Sequence, residues 1–358
     1  MSQFHTLRVA SSKPETRDAV VVTIEVPQEL RDDFEFIQGQ HLTLRATIDG
    51  EEIRRSYSIC STPHDGEMRI AIKRVHDGLF SSWAYQNLKP GDAIECMAPA
   101  GHFHVPLEPD SARHHVAFAA GSGITPVLSL IKTTLAVEPQ SRVTLFYGNR
   151  ASSAVIFKEE LEDLKDRYMG RFNLVFILSR EHQDIELFNG RIDRAKCDEL
   201  LEKWVDASDI DLAYICGPQS MMEAVKESLQ AHGIAKEQIK MELFATALAK
   251  GPRKVMAAAQ SLAAQCQVTV IQDGRRREFA MKRDAQTVLD SALEQGIELP
   301  YSCKGGVCST CRTKMVKGEV DMDVNFALED YEVARGFILT CQSYPLTDEI
   351  VLDYDQES

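Results

Sequence analysis

The chain has 358 residues, 44% of them hydrophobic, and a formal net charge of −14. That length allows two or three domains with their own cores, and the composition is that of a globular protein. The acidic balance argues against nucleic acid and anionic membrane as partners, and no apolar run reaches the length of a membrane span. Residues 1–9 are polar and carry Arg8, so no secretory signal is expected. Five of the nine cysteines (Cys60, Cys96, Cys197, Cys216, Cys266) stand singly, which suits a reducing compartment and points to the cytoplasm.

Residues 6–105 alternate in short runs, for example 20–26, 41–45 and 68–73. Turn pairs separate them: Asp49-Gly50, Asp65-Gly66, Asp77-Gly78 and Pro90-Gly91. Such spacing predicts a small antiparallel barrel. Within it lies Arg55-Ser56-Tyr57-Ser58, which alone describes only a strand with one buried Tyr and an exposed Arg. Further on come Lys73-Arg74-Val75 and Gly78-Leu79-Phe80-Ser81. Together these supply what a flavin dinucleotide needs. An arginine neutralises pyrophosphate, a flat ring covers the isoalloxazine, and turn amides take phosphate oxygens.

After a polar break at 106–111, an apolar strand at 115–120 runs into Gly121-Ser122-Gly123-Ile124-Thr125-Pro126 and a helix over 127–135. Strand, glycine turn, helix is the context in which a dinucleotide phosphate sits at a helix N-terminus. Pro126 suits the first helical position. Further strands are expected at 143–147, 172–178 and 211–215, with helices at 156–168 and 219–232, forming a parallel sheet faced by helices. Ser179-Arg180 closes one strand, with Glu181 beside it and Arg191 further on. The pair is either an exposed strand end or a holder of a 2′-phosphate, whereas a ribose-binding acid would indicate NAD. Cys216-Gly217-Pro218 follows another strand, and Glu242-Leu243-Phe244 ends the region.

Residues 246–265 read as a basic, alanine-rich tether, partly helical. A hairpin around Asp273-Gly274 and a helix at 287–295 follow. Then comes Cys303-Lys304-Gly305-Gly306-Val307-Cys308-Ser309-Thr310-Cys311, with Cys341 downstream. C-x4-C-x2-C plus one distant Cys is the plant-type spacing for a [2Fe–2S] cluster. Structural zinc usually takes two short pairs instead. Glycines let the loop approach the cluster closely, and loop amides can face its sulfurs. A strand is expected over 312–320. The acids from Glu319 to Asp355 form either a solvated face or a docking surface for a basic partner.

These motifs resemble the ferredoxin–NADP reductase superfamily, joined to a C-terminal plant-type ferredoxin, over essentially the whole chain. The resemblance implies a multidomain α+β protein: an FAD-binding β-barrel at 1–108, an NADP-binding α/β domain at 109–245, a linker at 246–265 and a β-grasp [2Fe–2S] domain at 266–358. The family uses G-x-G-x-x-P where dinucleotide folds often have a third glycine. By resemblance Arg55 and Ser56 serve the pyrophosphate region, Tyr57 packs on the flavin and Ser58 lies near its N5. Lys73, Val75, Gly78 and Ser81 complete the flavin site. Gly121, Gly123, Thr125 and Pro126, with Ser179, Arg180, Arg191 and Gly217, hold NADPH. Phe244 covers the flavin, Ser58, Cys216 and Glu242 form the catalytic corner, and Cys303, Cys308, Cys311 and Cys341 bind the cluster. The function implied is electron transfer from NADPH through FAD and the cluster to the oxygenase subunits of a multicomponent monooxygenase or epoxidase, a di-iron enzyme acting on an aromatic acyl-CoA. A Rieske dioxygenase, a steroid hydroxylase and a hybrid-cluster protein are alternative acceptors, and a redox sensor is the reading from another class.

Overall fold

The structure is a computed structural model, and it describes residues 3–244, 265–283 and 285–356. The tether expected at 246–265 therefore lies outside the described residues except for Gln265. The chain divides into two compact units, one ending at Phe244 and one beginning after it. Among the described residues no helix is long and apolar enough to cross a membrane.

The first unit opens with strands β1 (Phe4–Thr16), β2 (Ala19–Glu25), β3 (His41–Ile48), β4 (Glu51–Ser58), β5 (Met68–Lys73) and β6 (Ala93–Met97). They pair antiparallel in the order β4-β3-β6-β1-β2-β5, and an Ile59–Ile70 bridge joins the two ends. Period-two alternation turns Val20, Val22 and Ile24 inward beside Leu42, Leu44 and Ile94. Asp49 and Gly50 both take positive φ in the β3–β4 turn, as a tight hairpin requires. Helix α1 (Leu79–Asn87) crosses the barrel and buries Phe80 and Ala84.

A parallel sheet follows: β7 (His114–Ala120), α2 (Ile124–Val137), β8 (Arg142–Asn149), α3 (Lys158–Arg167), β9 (Phe172–Leu178), α4 (Arg194–Lys203), β10 (Leu212–Cys216), α5 (Gln219–Ala231) and β11 (Ile239–Glu242). Its order is β11-β10-β7-β8-β9. The chain winds outward from β7 in one direction and then returns to β10 on the other side. The crevice between the ends of β7 and β10 is thus the topological switch point, where open α/β sheets bind ligands. Two boundaries differ from expectation. Helix α2 starts at Ile124, so Pro126 is its third residue; no intrahelical partner is lost, because first-turn amides have none. Helix α3 starts only at Lys158, because Phe157 takes φ 60.

The two lobes of this unit are bound by charge and by a shared core. Arg69 Nη2 contacts both oxygens of Glu160 at 2.9 and 2.8 Å, and Lys132 bridges Asp65 (2.8 Å) and Glu160 (3.0 Å). Ser129 Oγ donates to Ser61 O at 2.7 Å, and Phe157 N to Glu15 Oε1 at 2.7 Å. Ala19, Cys60, Ala71 and Phe103 of the barrel region share a buried cluster with α2 and β8. Fully buried Glu138 ties down the crossing segment through Glu108 N, Arg113, His115 and Ser141.

The second unit contains β12 (Gln265–Gln272), β13 (Arg275–Lys282), α6 (Val288–Glu294), β14 (Arg312–Lys317), β15 (Val320–Met322), α7 (Asp330–Ala334), β16 (Phe337–Leu339), β17 (Ser343–Pro345) and β18 (Glu349–Asp353). The main sheet runs β13-β12-β18-β14-β16, and β15 pairs with β17 separately. Thr287 caps α6 by accepting from Asp290 N. The single strand expected over 312–320 breaks at Gly318 (φ +90), where a Cβ would lie 2.4 Å from Glu349 O. That close approach ends β14 and lets β15 leave the sheet.

Candidate functional site

The switch point is built by glycines meeting backbone to backbone. A Cβ on Gly123 would lie 2.1 Å from Cys216 O, and one on Gly217 would lie 2.6 Å from Met221 Cε and 3.2 Å from Ala120 Cβ. The loops after β7 and β10 can therefore touch only with glycine at 123, while a side chain at 217 would have to displace the end of Met221 and crowd Ala120. Gly121 takes φ +55, with its carbonyl accepting from Tyr147 Oη at 2.8 Å. Lys73 reaches across from β5, its Nζ 3.7 Å from where a Gly121 Cβ would stand. Thr125 and Pro126 are buried in α2, and Thr125 Oγ1 donates to Ser122 O at 3.0 Å.

Three strand ends converge beside this crevice. Cys216 pairs with Glu242 across β10–β11. Ser58, at the end of β4, donates its Oγ to Glu242 Oε2 at 3.0 Å. Glu242 keeps some solvent contact at its surface, but its carboxyl is recessed among protein groups. Burial pushes that carboxyl up to about 8, against the downward pull of the Ser58 hydrogen bond. A neutral acid at pH 7 thus stands next to a hydroxyl. Cys216 is fully buried, and burial together with Glu242 raises its thiol well above the ordinary range. It remains a thiol packed in the core.

On the barrel, strand alternation sends Arg55 and Tyr57 to one face and Ser56 and Ser58 to the other. Arg55 is exposed, with Nη1 on Arg54 O at 2.7 Å. The Tyr57 ring leans on Phe80 of α1 at 5.7 Å, and Ser56 Oγ lies 3.3 Å from Thr43 Oγ1. Ser81 is buried within its own turn: its Oγ accepts from Val75 N at 3.1 Å and donates to Gly78 O at 3.3 Å. It shapes the start of α1, whose first-turn amides have no intrahelical acceptor and are thus able to meet an anion. A Cβ on Gly78 would sit 2.6 Å from Ser81 Oγ, which explains the glycine. An exposed guanidinium, a half-buried ring and a helix start in this arrangement fit a flavin dinucleotide. Phe244 is half-buried and packs against the α/β core.

At the outer edge, Ser179 N donates to Asn149 O (3.0 Å) and Arg180 N to Arg150 O (2.8 Å), while Gly190 N donates to Leu178 O at 2.9 Å. These bonds draw Arg150, Arg180 and Arg191 to one rim. All three are exposed, and none forms an ion pair among the described residues. Three unpaired guanidinium groups in so acidic a chain favour a dianionic group. Glu181 does not oppose them. Its carboxylate accepts from Ser152 N (2.8 Å) and Ser152 Oγ (2.9 Å), so it caps a turn and is not poised for a ribose. Sequence reasoning overlooked Arg150; its only sequence signal was a basic residue just past a strand end.

In the second unit the four cysteines form two pairs. All four are free, and hydrogen bonding of Cys303 with Cys308 and of Cys311 with Cys341 pushes Cys303 and Cys341 down and Cys308 and Cys311 up. Gly305 N donates to Cys303 Sγ at 3.2 Å. Lys304, Gly306 and Ser309 all take positive φ, and a Cβ on Gly306 would lie 2.8 Å from Val324 O. Among the described residues no three donors surround a single point as one metal ion needs. Four thiols ringed by amides fit a two-iron cluster, which Cys303, Cys308, Cys311 and Cys341 would hold.

Comparison with known proteins adds three family matches. The oxidoreductase FAD-binding domain matches residues 6–105, the oxidoreductase NAD-binding domain 118–227, and the 2Fe-2S iron-sulfur cluster binding domain 270–346. The chain is 44% identical over 355 residues to a component of the 1,2-phenylacetyl-CoA epoxidase of Escherichia coli K12, covering 99% of each. It is 33% identical to the ferredoxin reductase component of 3-ketosteroid-9-alpha-monooxygenase from Rhodococcus rhodochrous, covering 97% of this chain and 96% of that one. The phthalate dioxygenase reductase structure shares the fold, with TM-score 0.56, 23% identity and 98% coverage of both chains.

Proposed function

The chain belongs to the NAD(P)H-dependent flavin and iron–sulfur reductases that serve multicomponent oxygenases, and from that premise we propose that its acceptor is a di-iron oxygenase epoxidising the ring of phenylacetyl-CoA in the cytoplasm. The observation that carries this reading is the near-complete coverage at 44% identity with an epoxidase component. When bound, FAD takes two electrons from a nicotinamide and releases them singly to the [2Fe–2S] cluster. This division of labour follows the proposed domains at 1–108, 109–245 and 266–358.

The residues of the corner hold groups in place for that transfer. Gly121, Gly123 and Gly217 let the nucleotide approach the backbone. Arg150, Arg180 and Arg191, with Ser179, bind the 2′-phosphate, which favours NADPH over NADH. Tyr57 and Phe244 frame the flavin ring, and Arg55 with the α1 amides holds its pyrophosphate. Glu242 keeps a proton on its carboxyl at neutral pH, linked to Ser58 Oγ. Cys303, Cys308, Cys311 and Cys341 hold the cluster.

The acids of the last domain divide by their surroundings. Glu332 is buried against Arg312, Asp348 pairs with Arg283, Glu349 pairs with Lys317, and Asp355 caps the Asp273-Gly274 turn. The docking face proposed for the oxygenase lies nearer the cluster loop. It comprises exposed Asp323 and Asp330 around Phe326, whose amide donates to Gly306 O at 3.0 Å. The test is aerobic NADPH oxidation with phenylacetyl-CoA and the purified oxygenase subunits. Substrate-dependent consumption with an oxygenated CoA product is expected. Reduction of dyes without that product would remove the proposed acceptor and leave the reductase assignment standing.

A further inference from the structure

Gln342 follows the fourth cysteine and is only 8% exposed. Its Nε2 donates to Lys304 O at 2.9 Å and to Cys341 O at 2.9 Å, and it lies 3.6 Å from Cys341 Sγ. Its backbone oxygen accepts from Asp323 N at 3.0 Å. The glycine turn of the ligand loop closes over its stem, since a Cβ on Gly306 would lie 3.1 Å from Gln342 Cγ. One residue therefore joins the ligand loop and the Cys341 turn through its side chain, and the segment after β15 through its backbone oxygen.

We propose that Gln342 is a positioning residue of the cluster: one amide N–H ties it to the ligand loop at Lys304 O, and the other is shared between Cys341 O and the Cys341 sulfur. Reduction adds negative charge to the cluster, and a donor at sulfur stabilises that charge, so Gln342 makes the cluster easier to reduce. A plain strut would need only the two carbonyl contacts. The inference rests on the four cysteines being the ligands, and the spectrum of the wild-type protein reads that premise separately.

The experiment is an EPR-monitored redox titration of the full chain with Gln342→Met and Gln342→Glu. Methionine keeps the length without a donor, and glutamate keeps the shape while a carboxylate accepts only. Both should bind the cluster with a lower midpoint. The reduction equilibrium is expected to fall about tenfold for Gln342→Met, which is about 59 mV for one electron, and further for Gln342→Glu. Flavin-dependent ferricyanide reduction should stay at the wild-type rate. Midpoints indistinguishable from wild type in both variants would overturn the proposal. So would loss of the cluster from both with flavin retained, which would make Gln342 a strut alone. A wild-type chain without a [2Fe–2S] signal would instead strike at the cysteine assignment.

Discussion

Ser58, Cys216 and Glu242 come from three strands, and the Ser58–Glu242 hydrogen bond spans 184 positions. Cys303, Cys308 and Cys311, by contrast, sit in one short loop shaped by local positive φ at Lys304, Gly306 and Ser309. The first site exists because the two lobes are held together by a shared core, by Ser129–Ser61 and Phe157–Glu15 hydrogen bonds and by the Arg69–Glu160 and Lys132 ion pairs. The second needs only its own unit. The corner is therefore sensitive to packing far away, and the loop to single atoms within it.

The sharpest way to break the comparison is Cys308→Ser. It should abolish the iron–sulfur absorbance and EPR signal and all cluster-dependent electron transfer, while flavin-dependent dye reduction by NADPH stays near wild type. Loss of flavin activity as well would show that the two sites are not built independently. Arg180→Ala comes next. A charge-assisted bond worth about 1.5–3 kcal/mol predicts a KM for NADPH raised roughly ten- to a hundredfold, with the KM for NADH little changed. Equal weakening of both nucleotides would move the 2′-phosphate elsewhere.

The smallest effect is expected at Glu242. Its carboxyl is raised to about 8, so the folded protein binds that proton more tightly than the unfolded chain. The associated stability is full below the ordinary carboxyl value of 4.5 and is lost as pH rises from there to about 8. Dye reduction should fall severalfold around pH 8, as the proton leaves the folded protein, and Glu242→Gln should flatten both profiles. A wild-type rate that is level from pH 6 to 9 would sink the proton-holding role.

Much of the molecule was legible before the fold. The Asp49-Gly50 and Asp273-Gly274 hairpins, the Gly121–Gly123 turn and the cysteine spacing are local patterns, and they appear where local chemistry requires them. Helix α1 escaped notice because its first turn follows a glycine and shows no clean apolar stripe. Helix α4 escaped as well, although Asp193 caps it by accepting from Lys196 N, a signal available in the sequence. Ser81 was expected to complete the flavin site as part of the glycine turn; only the fold shows how, its hydroxyl bracing that turn between Val75 N and Gly78 O.

The amino-acid order alone determined the kinds of domain and their cofactors, because phosphate turns and cluster loops are short segments whose spacing follows ligand geometry. Only the tertiary structure decided the rest. It turned Glu181 onto Ser152, gathered Arg150 beside Arg180, and set Gln342 across the ligand loop. It also buried Glu242 deeply enough to keep its proton. Burial and long-range hydrogen bonds set charge state and direction, and neither is a property of neighbouring residues along the chain.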